Sequence, residues 1–345
     1  MKNLILVTYF GIISLFTTIS ITPFIILENI SKKILRLYGN SFLLGLVFVL
    51  KFFYGCKIMI KNADLINSFK NKETLLLANH ISQFDYIFLY NIISNYDIFN
   101  MMKLRIRMIM IKIVYNFLPG IGMLSAYFGA ICVNRCNKNR TLNAFAQFKI
   151  EKDDVVIMFC EGSVQNKESM EKSIYYGRNC KEYAKEYAEI IEQNPIQYIM
   201  CPKTQGINEI YSNNKLNVIT YATIVYGDIE LPVKNRINLT THNIPKQIFI
   251  SFGEKKIDHN KNIGSQVINI YSNINSEIKL IKELDKKQIK KDFIYYGITL
   301  KETLSFIFQI ILFSISINMM FKYYLYFWYS IFIIFVYYLY TWMIL

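Results

Sequence analysis

Leu77-Ala78-Asn79-His80-Ile81-Ser82-Gln83-Phe84-Asp85 closes an apolar run that begins at Thr74 and opens an amphipathic stretch over 83–94. A short continuous apolar run followed directly by helical spacing reads as a buried strand over 74–79 that turns into a helix. The turn sets His80 at the carboxyl end of the strand. Asp85, in the first helical turn, can reach back to the imidazole. A carboxylate on one ring nitrogen fixes the tautomer and raises the basicity of the other. That second nitrogen can then take a proton from a hydroxyl. The bland alternative is a histidine that merely caps a turn.

Outward from this stretch the same alternation continues. Apolar runs at 129–133, 155–159, 197–202, 218–225 and 247–252 read as strands. Helical spacing over 104–117, 138–150 and 171–193 reads as the connections between them. Strands separated by helices imply βαβ units: an α/β fold with a mostly parallel central sheet flanked by helices. Such sheets carry their ligands at the carboxyl ends of the strands, which is where His80 falls.

The chain of 345 residues is 53% apolar and 19% charged, and its apolar residues concentrate at the two ends. The runs at 4–27, 303–320 and 323–345 are long enough to be membrane helices, since a span needs about 20 residues. The run at 41–60, interrupted by Lys51 and Lys57, reads as interfacial, with the lysines snorkelling. The expected organisation is an N-terminal membrane anchor over 1–60, a catalytic domain over 61–295 and a C-terminal pair of membrane helices over 296–345. The formal charge is +14. No compact basic block or zinc-finger signature accompanies it, so an anionic lipid surface is a better partner than nucleic acid. Basic residues flank the middle of the chain (Lys32, Lys33, Arg36, then Lys286, Lys287, Lys290, Lys291), which by the positive-inside rule faces the cytosol. Lys103, Arg105, Arg107 and Lys112 fit either a lipid-facing patch or a solvated face. The six cysteines show no C-x-x-C pair and no zinc-ligand spacing, and no metal site is expected.

Four stretches stand in order along the middle of the chain: Asn79-His80-Ile81-Ser82-Gln83-Phe84-Asp85, Gly129-Ala130-Ile131-Cys132-Val133-Asn134-Arg135, Phe159-Cys160-Glu161-Gly162-Ser163, and Pro202-Lys203-Thr204-Gln205-Gly206. Together with Leu118-Pro119-Gly120-Ile121-Gly122 they resemble the motifs of the glycerolipid acyltransferase family over about 61–255, in the form seen in its eukaryotic lysophosphatidic acid and lysocardiolipin acyltransferases. The sequence departs from the family at Val164, where an arginine often follows the third motif, and at Cys132, where an aromatic is common.

The resemblance implies a glycerol-3-phosphate acyltransferase-like fold in an endoplasmic reticulum membrane. It implies acyl transfer from acyl-CoA, a co-substrate and not a cofactor, to the sn-2 hydroxyl of lysophosphatidic acid. Another lysophospholipid, lysocardiolipin or lysophosphatidylinositol, is the alternative acceptor. His80 and Asp85 are the catalytic candidates. Asn79, Arg135, Glu161, Gly162, Ser163 and Lys203 are the substrate-binding candidates, with Arg135 and Lys203 suited to a phosphate. Two other classes stay open: a hydrolase pairing a Ser or Cys with His80, which lacks a G-x-S-x-G elbow, and a non-catalytic scaffold.

Overall fold

The runs that alternate along the chain become strands because each can bury both faces. Leu75, Leu76 and Leu77 are fully buried, as are Val155 and Val156, the pattern of interior parallel strands. The computed structural model describes residues 28–69, 72–95, 105–111, 130–134, 136–192, 198–231, 233, 244–322 and 332. In chain order its main elements are α1 (Glu28–Tyr54), β1 (Lys57–Lys61), β2 (Thr74–Ala78), α2 (Asp85–Asn95), β3 (Arg105–Ile111), β4 (Ile131–Val133), α3 (Lys138–Ala146), β5 (Asp154–Met158), α4 (Lys167–Asn179), α5 (Ala184–Glu192), α6 (Gln205–Asn214), β6 (Val218–Tyr226), β7 (Gln247–Lys256), α7 (Ile263–Glu283), α8 (Lys286–Asp292), β8 (Ile294–Tyr296) and α9 (Leu300–Lys322).

Chain contacts divide these elements into two units, one of residues 55–89 and 138–297, the other of 1–54, 90–137 and 298–345. The first contains a sheet in the order β5-β2-β6-β7-β1-β8. β2 is parallel to β5 and to β6. β6 and β7 are antiparallel, β1 is parallel to β7, and β8 closes the edge antiparallel to β1. The fold is mixed α/β, a central sheet flanked by helices, as its alternating pattern implies. Helix α7 lies along the sheet and buries Val267, Ile268, Tyr271, Ile274 and Ile278, a stripe at helical spacing.

In the second unit, β3 and β4 form a parallel pair. Helices α1 and α9 run antiparallel, with Phe48 stacked on Phe306 at 4.7 Å and Gln309 donating to Ser41 Oγ at 2.6 Å. Lys51 and Glu302 meet at 2.7 Å with both side chains buried. Glu302 Oε1 also accepts hydrogen bonds from Asn91 and Asn95.

Several expectations are corrected. Among the described residues no helix is long and apolar enough to cross a membrane. The stretch 303–320 lies in α9, which carries Ser305 and Gln309 as buried polar side chains. The runs at 4–27 and, apart from Phe332, 323–345 lie outside the described residues. The stretch 41–60 is two elements: α1 ends at Tyr54, Gly55 turns the chain at φ 71°, and Lys57–Lys61 enters the sheet. Lys51 does not snorkel; its ammonium is buried on Glu302. Residues 105–111 form β3 and not a helix, in keeping with the alternation of Arg105-Ile106-Arg107 and its β-branched isoleucines. Residues 198–204 form no strand. Pro202 has no N–H to give a ladder, its carbonyl accepts from Tyr187 Oη at 2.5 Å, and Cys201 N donates to Ser173 Oγ at 2.6 Å. The single helix expected over 171–193 breaks at Cys180 into α4, a short 3₁₀ turn and α5.

Candidate active site

Because β5, β2 and β6 are parallel neighbours, their carboxyl ends adjoin, and each delivers a polar residue to the same edge of the sheet. β2 leads into Asn79 and His80, β5 into Phe159, Cys160 and Glu161, and β6 ends on Tyr226.

Asp85 begins α2 and turns its carboxylate back across the preceding turn. Its Oδ2 lies 3.0 Å from His80 Nδ1 and accepts the N–H groups of Ile81 (2.6 Å) and Ser82 (2.8 Å). Its Oδ1 accepts from the Tyr226 hydroxyl and lies 3.3 Å from Ser82 Oγ. Asp85 is fully buried, and a desolvated carboxylate needs such donors. An acceptor at Nδ1 puts the neutral ring's proton there and leaves Nε2 as the basic nitrogen. The imidazole, half-buried, lies flat on Phe159 with ring centroids 4.2 Å apart. Its backbone is held from both sides: His80 N donates to Glu161 Oε1 at 3.1 Å, and Gln165 N donates to His80 O at 3.0 Å.

Glu161 is buried, and its Oε2 has no hydrogen-bond partner among the described residues. Burial pushes its carboxyl well above the usual carboxylate range, against the pull of the His80 and Met200 N–H groups, with the Asp85 charge adding to the rise. Gly162 has φ 74°, a left-handed conformation that glycine adopts at little cost. The Lys203 ammonium lies 3.4 Å from where a side-chain carbon at Gly162 would stand. Lys203 N donates to Cys160 O at 2.8 Å, tying the two loops together.

His80, Asp85, Glu161, Gly162 and Lys203 are therefore gathered at one edge of the sheet. Ser163 is half-buried, its hydroxyl toward Met200 Sδ at 3.9 Å. Asn79 is placed differently from a substrate ligand. It is fully buried, donating to Ile224 O at 2.9 Å and accepting from Ile224 N at 2.8 Å, so both ends of its amide serve the β2–β6 junction. Arg135 lies outside the described residues. Among the described residues no cluster of three His, Cys, Asp or Glu could hold a metal.

Two tyrosines absent from the expected site belong to it. Tyr271 of α7 donates to Ala78 O at 2.8 Å and accepts from Cys160 N at 2.9 Å, bridging the ends of β2 and β5. Tyr226 reaches Asp85. In a chain with 26 tyrosines, residue type alone singles out neither. Tyr226 does follow the last expected residue of a strand, and that position was the available signal.

The nucleophile readings fit less well. Ser82 is fully buried, 2.6 Å from the Tyr226 oxygen, and its Oγ accepts from Phe84 N at 3.0 Å. Cys160 is buried and its thiol is pushed up to about 12 by that burial, whereas a nucleophilic cysteine needs its thiolate.

Residues 57–203 match the acyltransferase family model. That span contains the His80–Asp85 pair and Glu161, and it ends on Lys203. No curated protein matches the chain. Among solved structures, the 1-acyl-sn-glycerophosphate (LPA) acyltransferase of Thermotoga maritima is similar at 11% identity and a TM-score of 0.48, over 83% of this chain and 100% of that one.

Proposed function

We propose, from the acyltransferase match over 57–203 and the geometry at His80, that the chain transfers an acyl group from acyl-CoA to the sn-2 hydroxyl of lysophosphatidic acid, giving phosphatidic acid. The observation that carries this reading is the His80–Asp85 pair. A carboxylate at Nδ1 and an imidazole face on Phe159 hold Nε2 ready as a base.

In this reaction Nε2 removes the proton of the acceptor hydroxyl. The oxygen attacks the thioester carbonyl, a C–O bond forms, and the C–S bond then breaks. The imidazolium returns its proton to the departing thiolate. Asp85 stabilises the imidazolium in the way the triad aspartate does, with the lipid alcohol in place of the serine. The acceptor phosphate needs a cation. Lys203 at the Gly162 turn suits it, and so does Arg135 by its type. The uncharged Val164 beside Ser163 favours a second reading, in which a lysophospholipid with a different headgroup, such as lysocardiolipin or lysophosphatidylinositol, is the acceptor. The lipid acceptor puts the reaction at a membrane, and we assign it to the cytosolic side of the endoplasmic reticulum.

His80→Ala or Asp85→Ala, purified in detergent and supplied with labelled oleoyl-CoA and a panel of lysolipids, is expected to lose about 10²–10⁴-fold in turnover. Near-normal transfer by both folded variants sinks the assignment, and the panel ranks the acceptors.

A further inference from the structure

The acyl-transfer chemistry above uses His80 and Asp85 and leaves the phenol of Tyr226 without a task. Yet Tyr226 is built into that pair. It is the last residue of β6, fully buried. Its hydroxyl donates to Asp85 Oδ1, and the Ser82 hydroxyl stands 2.6 Å from it. Oδ1 has no other side-chain partner besides Ser82 among the described residues. Oδ2 takes the His80 ring and two backbone N–H groups. The two carboxylate oxygens thus have separate donor sets, and the phenol supplies the first of them.

The backbone beneath the phenol is fixed. Gly227 N donates to Gln247 O at 2.9 Å. Lys282 of α7 donates to the carbonyls of Tyr226 and Ile229, each at 2.7 Å. These bonds fix the main chain from which the ring extends, and the hydroxyl's own contacts with Asp85 and Ser82 set the ring's direction. Burial, then the adjoining Asp85 charge, holds the phenol well above its ordinary range, so it stays a protonated donor.

We infer that Tyr226 is a positioning residue for acyl transfer: its hydroxyl locks Asp85 Oδ1, so that Oδ2 is presented to His80 Nδ1 and Nε2 is aimed at the acceptor alcohol. Without the phenol, Asp85 Oδ1 keeps only the longer 3.3 Å contact with Ser82 Oγ, and the carboxylate pivots more freely about its Cβ–Cγ bond. A buried one that pivots gives up the imidazole's orientation, and small errors of orientation cost rate more than binding. The inference rests on His80 as the base, and its test separates the two.

Tyr226→Phe keeps the ring and removes only the hydroxyl. In the full chain it is expected to lower kcat about 10- to 100-fold, the range of one charge-assisted hydrogen bond. The KM values for oleoyl-CoA and lysophosphatidic acid stay within about twofold, since uniform binding is untouched. The second readout is nuclear magnetic resonance of protein labelled with ¹⁵N-histidine. With histidines only at 80, 242 and 259, the His80 Nδ1–H signal is assigned by its loss in His80→Ala. It is expected to move in Tyr226→Phe. Unchanged kcat and an unmoved signal, with His80→Ala inactive, overturn the role of Tyr226 alone. An active His80→Ala overturns the base itself. Should Tyr226→Phe not fold, 3-fluorotyrosine at position 226 keeps ring and hydroxyl while strengthening the donor, and an unmoved His80 signal there overturns the inference equally.

Discussion

Glu161 is a buried carboxyl group with one oxygen bonded and the other unbonded among the described residues. Its Oε1 takes the His80 N–H, its Oε2 takes nothing among the described residues, and burial raises its pKa. Beside it, Asp85 is equally buried but carries five donors. The two carboxyl groups thus sit in contrasting surroundings, one rich in hydrogen-bond donors and one that burial makes resist ionising. The consequence for stability has a definite sign. Below the ordinary carboxylate value, about 4.3, folded and unfolded chains both hold the Glu161 proton and no penalty exists. As pH rises from there toward the raised folded value, the unfolded chain releases the proton first, so stability falls. Glu161→Gln has no proton to lose. Ligand-free, its Tm is expected to match the wild type near pH 4 and to exceed it progressively toward pH 8. Parallel melting curves across that range, measured by differential scanning fluorimetry, refute this account of Glu161.

At the level of elements, the site exists because three parallel strands end side by side, and small polar devices keep those ends in register. Asn79 is one, closing a two-bond amide pair on Ile224 of β6. Tyr271 is another, spanning β2 and β5. Asn79→Ala strands a buried N–H and C=O of Ile224, at about 1–3 kcal/mol each. The expected outcome is a loss of about 2–6 kcal/mol in denaturant unfolding, with the acceptor KM little changed in the folded fraction. A large rise in acceptor KM without loss of stability restores Asn79 as a substrate ligand. Some of this level could be read directly from the chain: the strand at 74–79 and the helix after it survive almost unaltered because each local signal agreed with the others. The region 105–111 misled because isoleucines and methionines at close spacing satisfy period 2 and period 3.6 alike.

At the scale of the molecule, residues 251 positions apart meet in the Lys51–Glu302 pair, joining the helix before the sheet to the helix after it. Both groups are buried, and Glu302 is shared among Lys51, Asn91 and Asn95, while its Oε2 accepts the Thr299 N–H. A buried pair contributes little over an apolar replacement, but breaking it by removing one partner leaves an uncompensated charge. Glu302→Leu alone is expected to cost about 3–5 kcal/mol. Lys51→Met added to it is expected to recover most of that loss. A double variant as unstable as the single one, by urea unfolding, contradicts a pairing role.

What the sequence by itself determined was chemical and local. The run 74–85 names a strand, a turn, an imidazole and a carboxylate five residues farther on, because hydrophobic period and side-chain reach are properties of neighbours. The same holds for the glycine after Glu161, whose backbone takes a conformation that suits glycine. The tertiary structure decided which distant residues serve that site. It put Tyr226, Tyr271 and Lys282 beneath the dyad, turned Asn79 inward to the sheet, and moved 57–61 from an interfacial stretch into a strand. Those outcomes depend on strand order and direction, which are set by how whole faces bury against one another and leave no mark at any single position of the chain.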